Sequence, residues 1–233
     1  MQQRGEQTVV GDRYEEPTSV EPRWPVALAI GSFIAITVAL HFIVPHRPTL
    51  GPAWLIPAVE LAMLALLLAA DPARLAEHRR PLRRAALALM LILAAAVFAS
   101  TAALIKDLVD GGPVTNSATT LLATGGLTWL GNVLVFGLLY WLLDSGGPVA
   151  RYRGERPYPD FAFSQQLSPE LAPPGWHPRY VDYAILGLTT STAFSPTDVM
   201  PMRPWAKLMM SAQSVISLVL IGLVIARAVN VFH

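Results

Sequence analysis

Hydrophobic residues in this chain fall into long unbroken blocks separated by short polar, proline-rich or glycine-rich breaks. They do not show the alternation of a half-buried strand or the single stripe of a surface helix. Blocks long enough to cross a bilayer, at roughly 20 residues each, run from Trp24 to Val44, Ala53 to Ala70, Ala85 to Ile105, Thr119 to Leu143 and Trp205 to Val229. Pro45 with Pro48, Gly111 and Gly112 before Pro113, and Gly146 and Gly147 before Pro148 mark block ends, where helix breakers do least harm. A further block, Val181 to Thr192, is too short to cross, since about 12 residues make roughly 18 Å of helix. It stops at the polar segment STAFSPTD, Ser191 to Asp198, before the last long block begins. Polar non-helical backbone survives at membrane depth only when protein or water encloses it, so this pattern predicts a re-entrant element whose loop lines a passage. The expected fold is all-α, a polytopic integral membrane protein of five transmembrane helices plus one re-entrant pore-like half-helix.

Composition supports the membrane class. Of 233 residues, 53% are hydrophobic and 14% charged, and the mean hydropathy is +0.46, which is more apolar than a soluble core of this size needs. The net charge of +1 decides little, but the placement of charge orients the chain, because basic residues resist translocation. The 71–84 break carries Arg74, Arg79, Arg80, Arg83 and Arg84, whereas the breaks near Arg47 and Lys106 are poor in basic residues. The N-terminus and this basic break are therefore expected in the cytoplasm, together with Asp144 to Asp182, which carries Arg151, Arg153, Arg156 and Arg179. If Val181 to Thr192 dips in and returns, the C-terminus lies outside; if that run crosses, it lies inside.

Four regions follow. Residues 1–23 lack the apolar core of a signal peptide and read as a disordered cytoplasmic tail. Residues 24–143 form a four-helix transmembrane region. Residues 144–180 are an interfacial linker whose prolines forbid a continuous helix and whose Phe161, Phe163, Trp176 and Tyr180 suit packing at the membrane interface. Residues 181–233 form the pore-like module. With no cysteine in the chain, disulfides, thiolate metal sites and a cysteine nucleophile are excluded.

Four groups of residues carry candidate chemistry. Thr189, Thr190, Ser191, Thr192, Ala193, Phe194, Ser195 and Asp198 make up the half-helix end and its loop, where hydroxyls and carbonyls can replace part of a cation's hydration shell. In a symmetric oligomer, Asp198 becomes a ring of charge. The same S-P-T-D run is also ordinary helix-capping chemistry. On the last block, Ser211, Ser214 and Ser217 recur at three-residue spacing beside Gln213, and such a stripe lines water or lets helices pack closely. Glu60 sits amid the second block, where a carboxylate is costly and marks a functional site by default. His41 on the first block can approach it as a proton-responsive partner, or a protonated Glu60 can bond to Asn132 or Thr128. Lastly, EHRRPLRR, Glu77 to Arg84, either binds anionic headgroups or only fixes topology, and without interleaved aromatics it is no nucleic-acid site.

The residues from Tyr183 to Arg227 resemble the pore helix, filter and inner helix of the tetrameric potassium-channel superfamily. LGLTT at Leu186 to Thr190 matches the end of the pore helix, Asp198, Val199 and Pro201 sit like the residues past the filter, and LVLIGLVIAR at Leu218 to Arg227 resembles the inner helix. The family's glycine, tyrosine, glycine filter is replaced by Ser191 to Thr197, so potassium selectivity does not carry over. The runs TAFSPTDVMP, RPWAKLMM and ARAVN, with DFAF upstream, also resemble a set of bacterial multi-pass membrane proteins with no established activity. These resemblances imply a bacterial inner-membrane location and a homo-oligomer, a tetramer if the pore architecture holds, passing monovalent cations.

Enzyme signatures are missing: HExxH, GxSxG, the P-loop and GxGxxG do not occur, and His41, His46, His78, His177 and His233 have no ligand spacing. Gly125, Gly126 and Gly131 read as close helix packing. No cofactor, metal or nucleic acid is expected. The expected function is passive cation conduction through the STAFSPTD loop; the alternatives are a small proton-coupled transporter centred on Glu60 and a non-conducting structural membrane protein.

Overall fold

A computed structural model describes residues 22–44, 56, 58–62, 65, 79–192 and 199–231, and these are mostly helical. The helices used below are α1 (Trp24–Ile43), α2 (Arg79–Asp110), α3 (Ala118–Leu143), α4 (Tyr180–Ser191) and α5 (Pro204–Val231). Helical stretches at Trp24–Ile43, Arg84–Asp110, Ala118–Gly146 and Pro204–Asn230 are long and apolar enough to cross a membrane. Of the block expected from Ala53 to Ala70, residues 56, 58–62 and 65 are described, and they are helical.

Helix ends follow local chemistry. α2 begins before its apolar block, so Arg79, Arg80, Arg83 and Arg84 belong to its first turns instead of the preceding break. Arginine is a good helix former, and Pro81 lies in the first turn, where a missing N–H costs nothing. At the other end of α2, Gly111 adopts φ +76° and the Gly112 N–H bonds back to the Asp107 carbonyl at 2.8 Å. α3 stops where Ser145, Gly146 and Gly147 take φ of +54°, +87° and +100° in succession, turning the chain away from the helix axis.

α3 is the central helix. In its most apolar window 67% of residues are buried, against 28% for α1, 39% for α2 and 22% for α5. The outer helices accordingly present exposed apolar side chains, among them Leu28 and Phe42 on α1 and Leu208, Leu218 and Ile225 on α5. That outward apolar face suits hydrocarbon and not water.

Direction is fixed by contacts along α3. Phe33 lies against Gly131, Phe98 against Phe136 and Val224 against Gly125, while Val26, Met90 and Met210 join the core around Leu138 to Leu142, and Val44, Leu108 and Ala228 join the cluster around Leu121. α1, α2 and α5 therefore run antiparallel to α3. The bundle has an Asp144 end and a Leu121 end.

α4 also runs antiparallel to α3, but only along part of it. Tyr183 lies at Asp144, Gly187 on Gly137 and Ser191 at Trp129. The two helices approach through glycine: a Cβ on Gly187 would sit 2.9 Å from the Val133 carbonyl oxygen and 3.1 Å from the Gly137 nitrogen. Strand β1 (Phe161–Phe163) pairs antiparallel with β2 (Val199–Pro201), Phe161 opposite Pro201 and Phe163 opposite Val199. β1 is anchored at Asp144 through the Phe161 N–H, so the chain that leaves Ser191 beside the middle of α3 is back at the Asp144 end by Val199.

The linker is ordered, and its aromatics turn inward. Phe161 is edge-on to Tyr140 and Trp205, Phe163 packs on Trp176 and Tyr183, and Tyr180 meets Trp141. Phe161, Phe163 and Tyr180 are buried within the protein. Their apolar area seals the ribbon onto the helix ends.

Candidate functional site

Three of the polar constellations among the described residues differ in how completely their atoms are paired. The first is the C-terminal end of α4. A helix leaves its last four carbonyls without helical partners, and here all of those from Leu188 to Ser191 find partners in the same chain. The Leu188 carbonyl accepts from the Thr192 N–H at 3.1 Å and the Thr189 carbonyl from Thr192 Oγ1 at 3.0 Å. The Thr190 carbonyl accepts from Ser214 Oγ at 3.2 Å, and the Ser191 carbonyl from Trp129 Nε1 at 3.4 Å.

Gln213 clamps this end from α5. Its Nε2 donates to the Gly187 carbonyl at 2.8 Å and to Ser191 Oγ at 2.7 Å, while its Oε1 accepts from the Tyr140 hydroxyl at 2.5 Å. Thr190, Ser191, Gln213 and Ser217 are buried, Thr189, Thr192 and Ser214 half-buried and Ser211 exposed. The hydroxyl oxygens of Thr190 and Ser217 have no hydrogen-bond partner among the described residues. Ala193, Phe194, Ser195 and Asp198, the rest of the expected filter, lie outside the described residues.

The second constellation joins the end of α3, the linker, α4 and Arg203 just after β2, and the sequence reading missed it. Asp144 is fully buried. Its Oδ1 accepts from Ser145 Oγ at 3.0 Å, the Asp160 N–H at 2.9 Å and the Phe161 N–H at 3.2 Å, and its Oδ2 accepts from the Tyr183 hydroxyl at 2.5 Å. Asp160 answers it: its Oδ2 accepts from the Ser145 N–H at 2.9 Å and lies 3.5 Å from Arg156 Nη1, and its Oδ1 lies 3.3 Å from Arg203 Nε. Arg151 donates to the Trp141 and Asp144 carbonyls at 2.6 and 2.9 Å, capping the end of α3, and its guanidinium stacks over the Tyr183 ring at 4.8 Å. Both carboxylates are fully engaged. The one sequence signal was an aspartate separated by one residue from a Gly-Gly-Pro break, which reads as an exposed loop charge.

The third is Glu60. It is fully buried among α1 and its neighbours, and Thr37 Oγ1 lies 2.7 Å from its Oε1. Its Oε2 is buried and has no hydrogen-bond partner among the described residues. The expected partners lie elsewhere: His41 is exposed and edge-on to Phe42, and Asn132 donates to Thr101 Oγ1 at 3.0 Å and the Thr128 carbonyl at 3.2 Å. Gly125 and Gly131 do sit at helix contacts, with Val224 and Phe33, whereas Gly126 faces open space.

Among the described residues, no group of three or more His, Cys, Asp or Glu is arranged to hold a metal. Compared with protein-family models, curated proteins and solved structures, the chain matches none.

Proposed function

We propose that this chain is a multi-pass membrane protein carrying out proton-linked transport within a single protomer, with Glu60 as the protonatable group. The observation that carries this reading is the burial of Glu60 in the bundle with one carboxylate oxygen bonded to Thr37 and the other unpaired among the described residues. A carboxylate in that setting is costly, and a structural role would use both oxygens.

The same reading includes five spans and a re-entrant α4. α1 ends near Leu121 and α2 begins near the Asp144 end, and this separation supports a further span through Glu60. The return from Ser191 to the Asp144 end by Val199 supports a half-helix that dips and comes back. With the arginine-rich start of α2 and the N-terminus in the cytoplasm of a bacterial inner membrane, α5 then runs outward.

Passive cation conduction is the second reading. It is favoured by the position of Ser191 beside the middle of α3, with Val199 back at the Asp144 end. With the Leu188 to Ser191 carbonyls already paired inside one chain, coordination would fall to the 193–198 segment. Flux in liposomes separates the two: transport that follows the proton gradient and is lost in Glu60→Gln supports the first, and pH-independent cation flux retained in Glu60→Gln supports the second.

A further inference from the structure

We infer that Thr37 is a proton-alternation partner of Glu60, a hydroxyl that bonds the carboxyl as a donor in its ionised form and as an acceptor in its neutral form, without any heavy atom moving. This inference rests on the proposed role of Glu60 and adds the device that makes it reversible.

A threonine hydroxyl has one proton to donate and lone pairs to accept with. Thr37 Oγ1 nevertheless has two acceptors in reach, Glu60 Oε1 at 2.7 Å and the Phe33 carbonyl one turn back at 3.1 Å. It cannot donate to both. When Glu60 is ionised, the Thr37 O–H donates to Oε1, which stabilises the charge. When Glu60 takes up a proton on Oε1, the carboxyl donates to Thr37 Oγ1 and the threonine proton turns to the Phe33 carbonyl. Each state leaves Thr37 satisfied, and the second gains one hydrogen bond as the charge is lost. A threonine that bonds back to the carbonyl four residues earlier is ordinary in a helix. Here the same atom also touches the one carboxylate among the described residues that lies within the apolar middle of the bundle.

Oε2 takes no part in this alternation. It has no partner among the described residues, and other titratable groups are sparse on the elements around it. On α1, His41 is exposed a turn beyond Thr37. On α2, the described acids and lysine, Lys106, Asp107 and Asp110, belong to the Leu121 end. On α3, Tyr140 belongs to the Asp144 end, and α4 carries Tyr180, Asp182 and Tyr183 in its first turns. Among the described residues, none of these groups is hydrogen-bonded to Glu60.

The test is infrared difference spectroscopy of the purified full chain in liposomes across a pH titration. Subtracting Glu60→Gln isolates the Glu60 carboxyl from Asp144 and Asp160. A protonated-carboxyl carbonyl band that disappears as pH rises is expected in the parent. In Thr37→Val the ionised form loses a short charge-assisted bond and the neutral form only weaker ones, so the band should persist to a proton concentration about tenfold lower, whereas Thr37→Ser should follow the parent. A Thr37→Val titration that overlays the parent, or a Glu60 band that never changes with pH, overturns the inference. If Thr37→Val does not fold, the parent band decides. A carbonyl frequency typical of an Oε2 that accepts no hydrogen bond agrees with the arrangement, and one lowered by a donor on that oxygen overturns it. None of these readouts requires flux, so intact titration without transport rejects the proposed transport alone.

Discussion

Two buried carboxylate sites in this molecule spend their hydrogen-bonding capacity differently. At the Asp144 end, Asp144 and Asp160 use every carboxylate oxygen, on backbone N–H groups, a tyrosine, a serine and two arginines drawn from four parts of the chain. Within the helices, Glu60 uses one oxygen, on a hydroxyl that has a second acceptor, and leaves the other unpaired among the described residues. Saturation makes a joint: nothing can change at Asp144 without breaking several bonds together. Incomplete pairing leaves Glu60 able to change protonation at little structural cost.

The largest stability effect should follow from breaking the joint. Asp144→Ala strands the Asp160 and Phe161 N–H groups and the Tyr183 hydroxyl in a buried site. With each stranded buried donor costing about 1–3 kcal/mol, we expect a loss of about 3–5 kcal/mol, read as a lower thermal unfolding midpoint by tryptophan fluorescence in detergent. Asp144→Ala with parental stability would mean that the joint does not hold the Asp144 end together.

A smaller loss is expected at the glycine crossing. The added methyl of Gly187→Ala meets the Val133 carbonyl and the Gly137 backbone, with no flexible side chain to move aside. About 1–3 kcal/mol should go, whereas Gly126→Ala, with open space around it, should be neutral in the same assay. Equal effects at the two positions would contradict the close approach of α3 and α4.

Removing the α4 clamp is expected to cost a similar or slightly lower amount. Gln213→Leu keeps the bulk but leaves the Tyr140 hydroxyl and Ser191 Oγ without their partner, a loss of about 1–2 kcal/mol. It should also speed amide exchange in α4 more than in α1, measured by hydrogen–deuterium exchange; uniform protection would argue against a local clamp.

The contrast between the two sites also shows which parts of the molecule can be read from the chain. The long helices are legible because apolar blocks and glycine or proline breaks are local signals, and Gly111 and the Ser145 to Gly147 turn end α2 and α3 where the breaks fall. Glu60 stands out for the same reason, as a carboxylate among apolar neighbours. Its partner does not, since Thr37 is one threonine among many until two helices meet. The Asp144 joint is hidden for a stronger reason: its members, Asp144, Ser145, Asp160, Tyr183 and Arg203, each look like ordinary loop or helix residues. Only the packing of α4 and the β1–β2 ribbon onto the end of α3 brings them together. Gly137 and Gly187 are similar, because either glycine alone means nothing without the helix that crosses it.

The smallest stability effect and the largest functional one should coincide at Glu60. Glu60→Gln preserves shape and the bond from Thr37, so its unfolding midpoint should match the parent within experimental scatter. The most direct measurement is proton-gradient-driven flux in liposomes as a function of pH, parent against Glu60→Gln, with the folded fraction of each verified. We predict a pH-dependent flux in the parent that is lost in the variant. A folded Glu60→Gln protein with the parental flux and pH profile, or a folded parent with no proton-linked flux at any pH, would contradict the account.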